Sequence, residues 1–399
     1  MRLKSLDVLR AVAVLLVIGR HFDIVHWWTM AGWTGVNLFF VLSGFLISGL
    51  LFSEYKQHGR IRIGHFLVRR GFKIYPPFYL LIGGSFAMFL LYHPRGPIPW
   101  PRFIGELLFV QNYFHAFWNH TWSLAVEEHF YLALPLLLLV LARTCKDQKD
   151  PFRSLPSIFL VVVIAVMAAR MWVCFPSPAV LQTIPLETHY QIDSLLFGVV
   201  LSYFYFFRRE TFLKISNWNR PLLTLVSVLC VAPCLYLDLL TSYVMQTSGH
   251  TLLYLGYGGM VLLAVTAAES PVAGKWKVLA APVAGLAYIG RYSYSIYLWH
   301  IPVNTWGMDF LGRVRLLPAN RLAQFLIYLI GSLVLGVMMS KLVEYPALKV
   351  RDRLFPSRSA VLVAPLPGGA GAALAAPLLD SAPGSPLMPV SDSPVLEKG

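Results

Sequence analysis

Apolar residues along this chain come in long runs divided by short polar or basic breaks, and the runs predict the elements. A helix needs roughly 20 residues to cross about 30 Å of hydrocarbon. Ten stretches reach or approach that length: 8–28, 34–53, 73–92, 121–142, 156–175, 190–207, 221–238, 251–268, 280–306 and 321–344. A shorter one, 103–117, is rich in aromatic and amide side chains and reads as re-entrant or interfacial. The expected fold is all-α: a polytopic integral membrane bundle of about ten transmembrane helices.

The breaks orient the bundle. Lys and Arg gather around 2–4, 56–70, 143–153, 208–220, 275–277 and 349–353, while the opposite loops hold Arg95, Arg102, Arg313, Arg315 and Arg321. Positive charge collects on the cytoplasmic side, so both termini are expected there. From about Phe355 the helical period gives way to Ala, Pro, Gly and Ser. Residues 1–353 therefore read as the membrane domain and 354–399 as a disordered cytoplasmic tail. The first apolar run begins near Val8 without a small-residue cleavage site, so no signal peptide is expected. No internal repeat is evident, which removes one signature of many transporters.

Composition agrees: 57% of the 399 residues are hydrophobic and 13% charged, about half the charge of a soluble domain. The net charge of +14 does not imply a nucleic-acid partner, because the cations sit in loops between spans. A basic rim attracts anionic lipid headgroups and anionic ligands such as a nucleotide cofactor. Cys145, Cys174, Cys230 and Cys234 are scattered, with neither a disulfide framework nor zinc spacing, so no metal is expected.

Ionisable residues inside spans are expensive, roughly 2.5–3.5 kcal/mol each at the centre, and each calls for a reason. The first span carries Arg10 and His21, close to three helical turns apart and so on one face, separated by about 16 Å along the axis. Asp7 and Asp23 flank them. Singly, Arg10 could snorkel to the headgroups and His21 could bond a neighbouring helix. Together they suit a site that holds an anion at one end and does proton chemistry further in. The fourth span opens HTWSLAVEEHFYLALP, with His120, Trp122, Ser123, Glu127, Glu128, His129 and Tyr131. On a helix Ser123, Glu127 and Tyr131 form one stripe, and Glu128 points about 100° away. At least one acid should line a polar cavity; the plainer alternative is an interfacial belt whose acids reach water. Small residues in 35–51, Gly44 and Gly49 among them, suit close helix packing. The loop 64–78 is expected to bring Arg69, Arg70 and Lys73 to a helix start capped by Pro76 and Pro77. Asp193 and His300 add buried polarity, although a lone histidine such as His300 is more often a packed hydrogen-bonding residue.

Seven segments, in order, resemble the acyltransferase-3 family, membrane enzymes that O-acylate bacterial surface polysaccharides and related acceptors. They are LDVLRAVAVLLVIGRHF (6–22), GVNLFFVLSGFLIS (35–48), FLVRRGFKIYPPFY (66–79), TWSLAVEEHFYL (121–132), IDSLLFG (192–198), IGRYSYSIYLWHIPV (289–303) and LVEYPALKVRDR (342–353). The family's functional Arg and His match Arg10 and His21. Its basic motif usually reads Arg, two residues, Arg; here it is Arg70, Gly71, Phe72, Lys73, which keeps the charge but loses a bidentate fork. Many relatives carry an esterase-like domain after the core, and none is expected here. If final transfer needs such a domain, a separate periplasmic partner would be required.

The resemblance implies an acyl-CoA donor, most often acetyl-CoA, used as substrate with no permanently bound cofactor. Its phosphates would meet Arg10, Arg70 and Lys73. His21 would act as general base on an acceptor hydroxyl, with Glu127 or Glu128 orienting it as the acid of a triad does. A covalent acyl-histidine relay stays open. Trp122, Ser123, His120, Tyr131, Asp193 and His300 are the candidate substrate-binding set. The acceptor is a carbohydrate hydroxyl, of an exopolysaccharide, lipopolysaccharide or peptidoglycan sugar, or of a glycosylated metabolite such as a macrolide. The expected location is the inner (cytoplasmic) membrane. The competing class is a transporter or flippase using the same residues as a proton path, and a scaffold is a third.

Overall fold

The computed structural model describes residues 3–92, 97–114, 116–145, 147, 149–174, 186–237, 242–268 and 280–357. The expected tail, apart from its first few residues, and the cations at 275–277 lie outside them. Backbone groups in lipid must be paired within the chain, and the helix does this locally. The first half holds α1 (Lys4–Arg20), α2 (His26–Ala31), α3 (Thr34–His58), α4 (Ile63–Tyr92), α5 (Trp100–Leu107), α6 (Trp122–Thr144), α7 (Leu155–Cys174) and α8 (Thr188–Phe207). The second holds α9 (Arg209–Trp218), α10 (Arg220–Val231), α11 (His250–Ala268), α12 (Ala280–Arg291), α13 (Ser293–Pro302), α14 (Met308–Arg313), α15 (Arg321–Met339) and α16 (Tyr345–Leu354). π-Helical turns occupy Met245–Gly249, Val303–Gly307 and Ser340–Glu344.

Among the described residues, seven helical runs are long and apolar enough to cross a membrane. An eighth joins them if α9 and the α10 run, bent by 85°, count as one span. The ten expected stretches fall in order on α1, α3, α4, α6, α7, α8, α10, α11, the α12–α13 pair and α15. The stretch 103–117 becomes the short α5 and a folded loop. One expectation differs. Residues 63–78 are helix rather than loop, and Pro76 and Pro77 lie inside α4. A proline in a helix loses a hydrogen bond and presses on the preceding turn. Here a neighbour intervenes at that turn, because the Tyr294 hydroxyl donates to the Ile74 carbonyl at 2.8 Å.

α3 is the axis of the bundle: 78% of its apolar window is buried, against 17% for α7. One face of α3, with Phe40, Ile47 and Phe52, joins an apolar cluster with α1, α4, α6, α13 and α15. Another, with Leu38, Val41, Leu42 and Phe45, joins α8 and α11. Close approach is made possible by glycine. A Cβ at Gly44 would lie 1.9 Å from the Leu195 carbonyl oxygen, and one at Gly198 2.3 Å from the Val41 carbonyl oxygen. At Gly49 it would meet the Phe206 ring at 3.2 Å. α12 likewise rests on the start of α1, where a Cβ at Gly290 would fall 1.7 Å from the Asp7 oxygen. α13 then continues beside α1, and the Tyr292 and Tyr345 rings meet at 5.7 Å. The start of α1 and the start of α16 are therefore at one end of the bundle.

Because the obstruction at Gly44 is backbone, it cannot yield as a side chain would. Gly44→Val should cost about 3 kcal/mol, the upper end for overpacking, or block assembly. Gly83→Ala, whose Cβ meets nothing within 4 Å, should be neutral. Thermal unfolding and gel filtration in detergent check both.

Candidate active site

Around the last turns of α1, side chains from other segments donate to backbone carbonyls. Trp28 Nε1 donates to Leu15 O at 3.0 Å, the Tyr328 hydroxyl to Ile18 O at 3.4 Å, and Asn304 Nδ2 to His21 O at 2.9 Å. Arg20 donates to Thr29 O at 2.9 Å. His21 is thus the C-cap of a helix end fixed from three sides, and it is exposed. Two further histidines stand behind it. The His300 ring centre is 5.2 Å from that of His21, and the His120 ring centre is 5.1 Å from that of His300. His300 is fully buried and His120 is 4% exposed.

His120 is delivered by the loop after α5, and that loop hangs on one carboxylate. Glu106 is fully buried. It accepts hydrogen bonds from the backbone N–H of Phe117 and Trp118 at 3.1 and 3.0 Å and from the Thr121 hydroxyl at 2.9 Å. Burial pushes its carboxyl up to about 7, against the pull of these donors. Trp118 Nε1 also donates to Ser85 Oγ at 2.8 Å. On the α6 side, the Ser123 and Tyr297 hydroxyls are bonded at 2.7 Å, and Tyr297 donates to His120 O at 2.6 Å.

Further along α6 the chemistry changes from imidazole to carboxylate. Glu127 accepts from Ser43 Oγ at 2.7 Å and from the Tyr131 hydroxyl at 3.0 Å, and its charged neighbours are Arg10 and Arg70. The Tyr131 bond is the i, i+4 stripe of the sequence analysis. Glu128 projects elsewhere, accepting from the Tyr75 hydroxyl at 3.0 Å, and its Oε1 is buried with no hydrogen-bond partner among the described residues. Arg10 pairs with Asp7 at 3.4 Å, and the Arg70 guanidinium lies 5.9 Å from the Phe66 ring centre. Lys73 pairs at 2.9 Å with Glu344, a buried carboxylate that also accepts from Ser295 and Ser340.

His21, His120 and His300 thus come together, and Glu127, Tyr131, Arg10 and Arg70 form a second group. The carboxylates expected beside His21 are held by Ser43, Tyr131 and Tyr75 instead; among the described residues, the ring against His21 is that of His300. Glu127 and Glu128 lie about two turns beyond His120, further along α6. Trp122 packs edge-on against Phe40 at 5.9 Å. Asp193 belongs to neither group. It forms a two-pronged pair with Arg170 at 2.8 and 2.9 Å, both side chains 1% exposed. Sequence reasoning gave no role to Arg170, although an arginine within the span 156–175 was the signal. Glu106, Tyr297, Asn304 and Glu344 were also missed, and a buried acid in the stretch before α6 was the clue to Glu106.

The acyltransferase-domain family model matches residues 3–341 of this chain. The chain belongs to the acyltransferase-3 family. It is similar to the peptidoglycan O-acetyltransferase OatA of Listeria monocytogenes, 28% identical over 329 residues, covering 75% of this chain and 49% of that protein. It is also similar to the O-acetyltransferase OatA of Staphylococcus aureus strain NCTC 8325, 26% identical over 321 residues, covering 75% and 50%. The chain spans about half the length of the curated relatives it matches. No solved structure matches it. A multi-pass membrane protein of the acyltransferase-3 family is therefore the setting in which the two groups operate.

Removing one member of a buried ion pair strands the other, at about 3–5 kcal/mol. Asp193→Asn should accordingly lower thermal stability in detergent steeply. Arg170→Met combined with Asp193→Leu should recover most of the loss, as expected if the pair is structural.

Proposed function

We propose that this protein transfers an acyl group, acetyl in the first instance, from an acyl-CoA to a hydroxyl of a cell-envelope glycan at the inner membrane. The observation that carries this reading is the exposed His21 at the fixed end of α1, backed by two buried imidazoles and sharing that helix with Arg10. Membership of the acyltransferase-3 family supports the chemistry, and the peptidoglycan named for the Listeria relative suggests the acceptor class.

The donor's phosphates take the basic end, where Arg10, Arg70 and Lys73 now rest on Asp7, Phe66 and Glu344. Phosphate oxygens outbid such partners by offering two or three charge-assisted bonds at once. The acyl arm then reaches along α1 toward His21, over the roughly 16 Å that eleven helical residues span. His21 takes the proton of the acceptor hydroxyl as its oxygen attacks the thioester carbonyl. Glu127 does not act on His21 in this scheme. It balances Arg10 and Arg70 and, with Ser43 and Tyr131, lines the path between the two groups.

The test is acyl transfer by the purified protein in liposomes, with labelled acetyl-CoA and extracted glycan. His21→Ala should lower turnover by about 10²–10⁴-fold, the usual worth of a positioned general base. Arg70→Ala should raise KM for acetyl-CoA about 10-fold through one lost charge-assisted bond. Label on a small glycoside but not on glycan would keep the chemistry and change the acceptor. No CoA release from folded wild type with any acyl-CoA would overturn the enzyme reading in favour of a carrier.

A further inference from the structure

His300 makes one hydrogen bond that fixes its protonation pattern. Its Nδ1 faces the Tyr297 carbonyl oxygen. A carbonyl can only accept, so the ring proton is on Nδ1 and a neutral His300 carries its lone pair on Nε2. That Nε2 is buried and, among the described residues, has no hydrogen-bond partner. His120 is fixed in the opposite sense. Its Nε2 faces the Leu298 carbonyl oxygen at 3.2 Å, so Nε2 carries the proton and the buried Nδ1 is the bare atom. Two successive imidazoles, pinned by carbonyls one residue apart on α13, thus present acceptors and no free donor.

A buried acceptor without a donor costs free energy of about 1–3 kcal/mol, and the ring that can relieve it at His300 is His21. Their ring centres are 5.2 Å apart. A linear imidazole N–H···N bond of about 2.9 Å sets two ring centres roughly 5 Å apart. The rings are tilted by 53°, and His21, being exposed, has room to turn. The π-helical turn that begins at Val303, just after Pro302, brings Asn304 onto the His21 carbonyl at 2.9 Å. The segment that carries the acceptor therefore also holds the backbone of its target.

We propose that His300 is the positioning residue for His21, occupying the place that a carboxylate fills in a hydrolase triad. The proposal rests on the acyl-transfer reading. His21 donates one N–H to His300 Nε2, which leaves its other nitrogen as the lone pair that faces the acceptor. As the hydroxyl oxygen bonds to the thioester carbonyl carbon, that nitrogen takes the hydroxyl proton, and the imidazolium shares its charge with His300. The C–S bond then breaks, the thiolate leaves, and His21 returns the proton to it. A neutral acceptor holds the imidazolium less tightly than a carboxylate would, so the proton is given back readily. It also spares the bilayer a second buried charge. His120 stands behind His300 as its packing wall, its bare Nδ1 unable to compete as a donor for Nε2.

The experiment compares wild type with His300→Phe, which keeps the ring and loses the acceptor, and His300→Gln, which restores one. Full-length protein in liposomes is assayed for acetyl-CoA turnover. Independently, carbethoxylation of His21 by diethyl pyrocarbonate is followed by mass spectrometry. For His300→Phe, kcat should fall roughly 10–100-fold, one hydrogen bond to a charged group, with KM for acetyl-CoA changed less than about threefold. The His21 labelling rate should fall with it, and His300→Gln should recover at least part of both. Wild-type kcat and labelling in a folded His300→Phe would overturn the proposal, as would a Gln variant no better than Phe. Should the Phe variant not insert, His300→Met takes its place as the non-accepting side chain. If wild type releases no CoA, the acyl-transfer reading fails, yet the labelling comparison still decides whether His300 tunes His21.

Discussion

A polar group in hydrocarbon has no water to fall back on, and every arrangement in this bundle answers that constraint. The carbonyls at the end of α1 are taken by Trp28, Tyr328 and Asn304, each reaching in from a different segment. Those bonds tie the end of α1 to three other segments, and their consequence is that His21 stands in one place. Glu106 does the same for the loop before α6. Its carboxylate collects two backbone N–H groups and a hydroxyl, and the loop so gathered delivers His120. The level that the three histidines share is thus set by hydrogen bonds to the backbone.

The same constraint separates the site into two levels. Carboxylates and guanidinium groups can be kept together because each neutralises another, as in Lys73–Glu344 and in Glu127 beside Arg10 and Arg70. Imidazoles need no counter-ion while neutral, so three of them can share a level. Under the proposed scheme, His300 holds the imidazolium of His21 more weakly than a carboxylate would, which suits a base that returns its proton to a thiolate.

How much of this was legible follows from what each feature depends on. Span positions depend on length and hydropathy, which are local, and all ten stretches fall on helices in order. The Ser123, Glu127, Tyr131 stripe depends only on helical period and is realised in the Tyr131–Glu127 bond. Gly44 was legible as a packing residue, whereas its partner Gly198 was not. What could not be read is pairing between helices: that Glu127 meets Ser43, that Asp193 meets Arg170, that His300 and not an acid backs His21. Those pairs join residues 84, 23 and 279 positions apart, and no periodicity links them. The start of α4 was misread because two adjacent prolines mark a boundary in most chains. The Tyr294 hydroxyl that supports the turn before them comes from 220 residues away.

The order of the segments on α13 carries the last step. Within thirteen residues, Ser293–Thr305 holds Tyr294 on the α4 turn, Ser295 on Glu344, Tyr297 on Ser123 and on His120 O, and His300 against His21. One helix therefore touches the basic end through Glu344 and the imidazole end through His300. A helix in contact with both levels can couple them: on the proposed reading, a donor that draws Lys73 away from Glu344 would loosen the carboxylate on which Ser295 rests, and a shift of α13 would move His300 relative to His21. π-Helical turns sit at 303–307 and 340–344, a feature frequent at functional sites. On the proposed reading, donor binding at one level and alignment of His21 at the other are linked through a single element, without need of a longer path through the bundle.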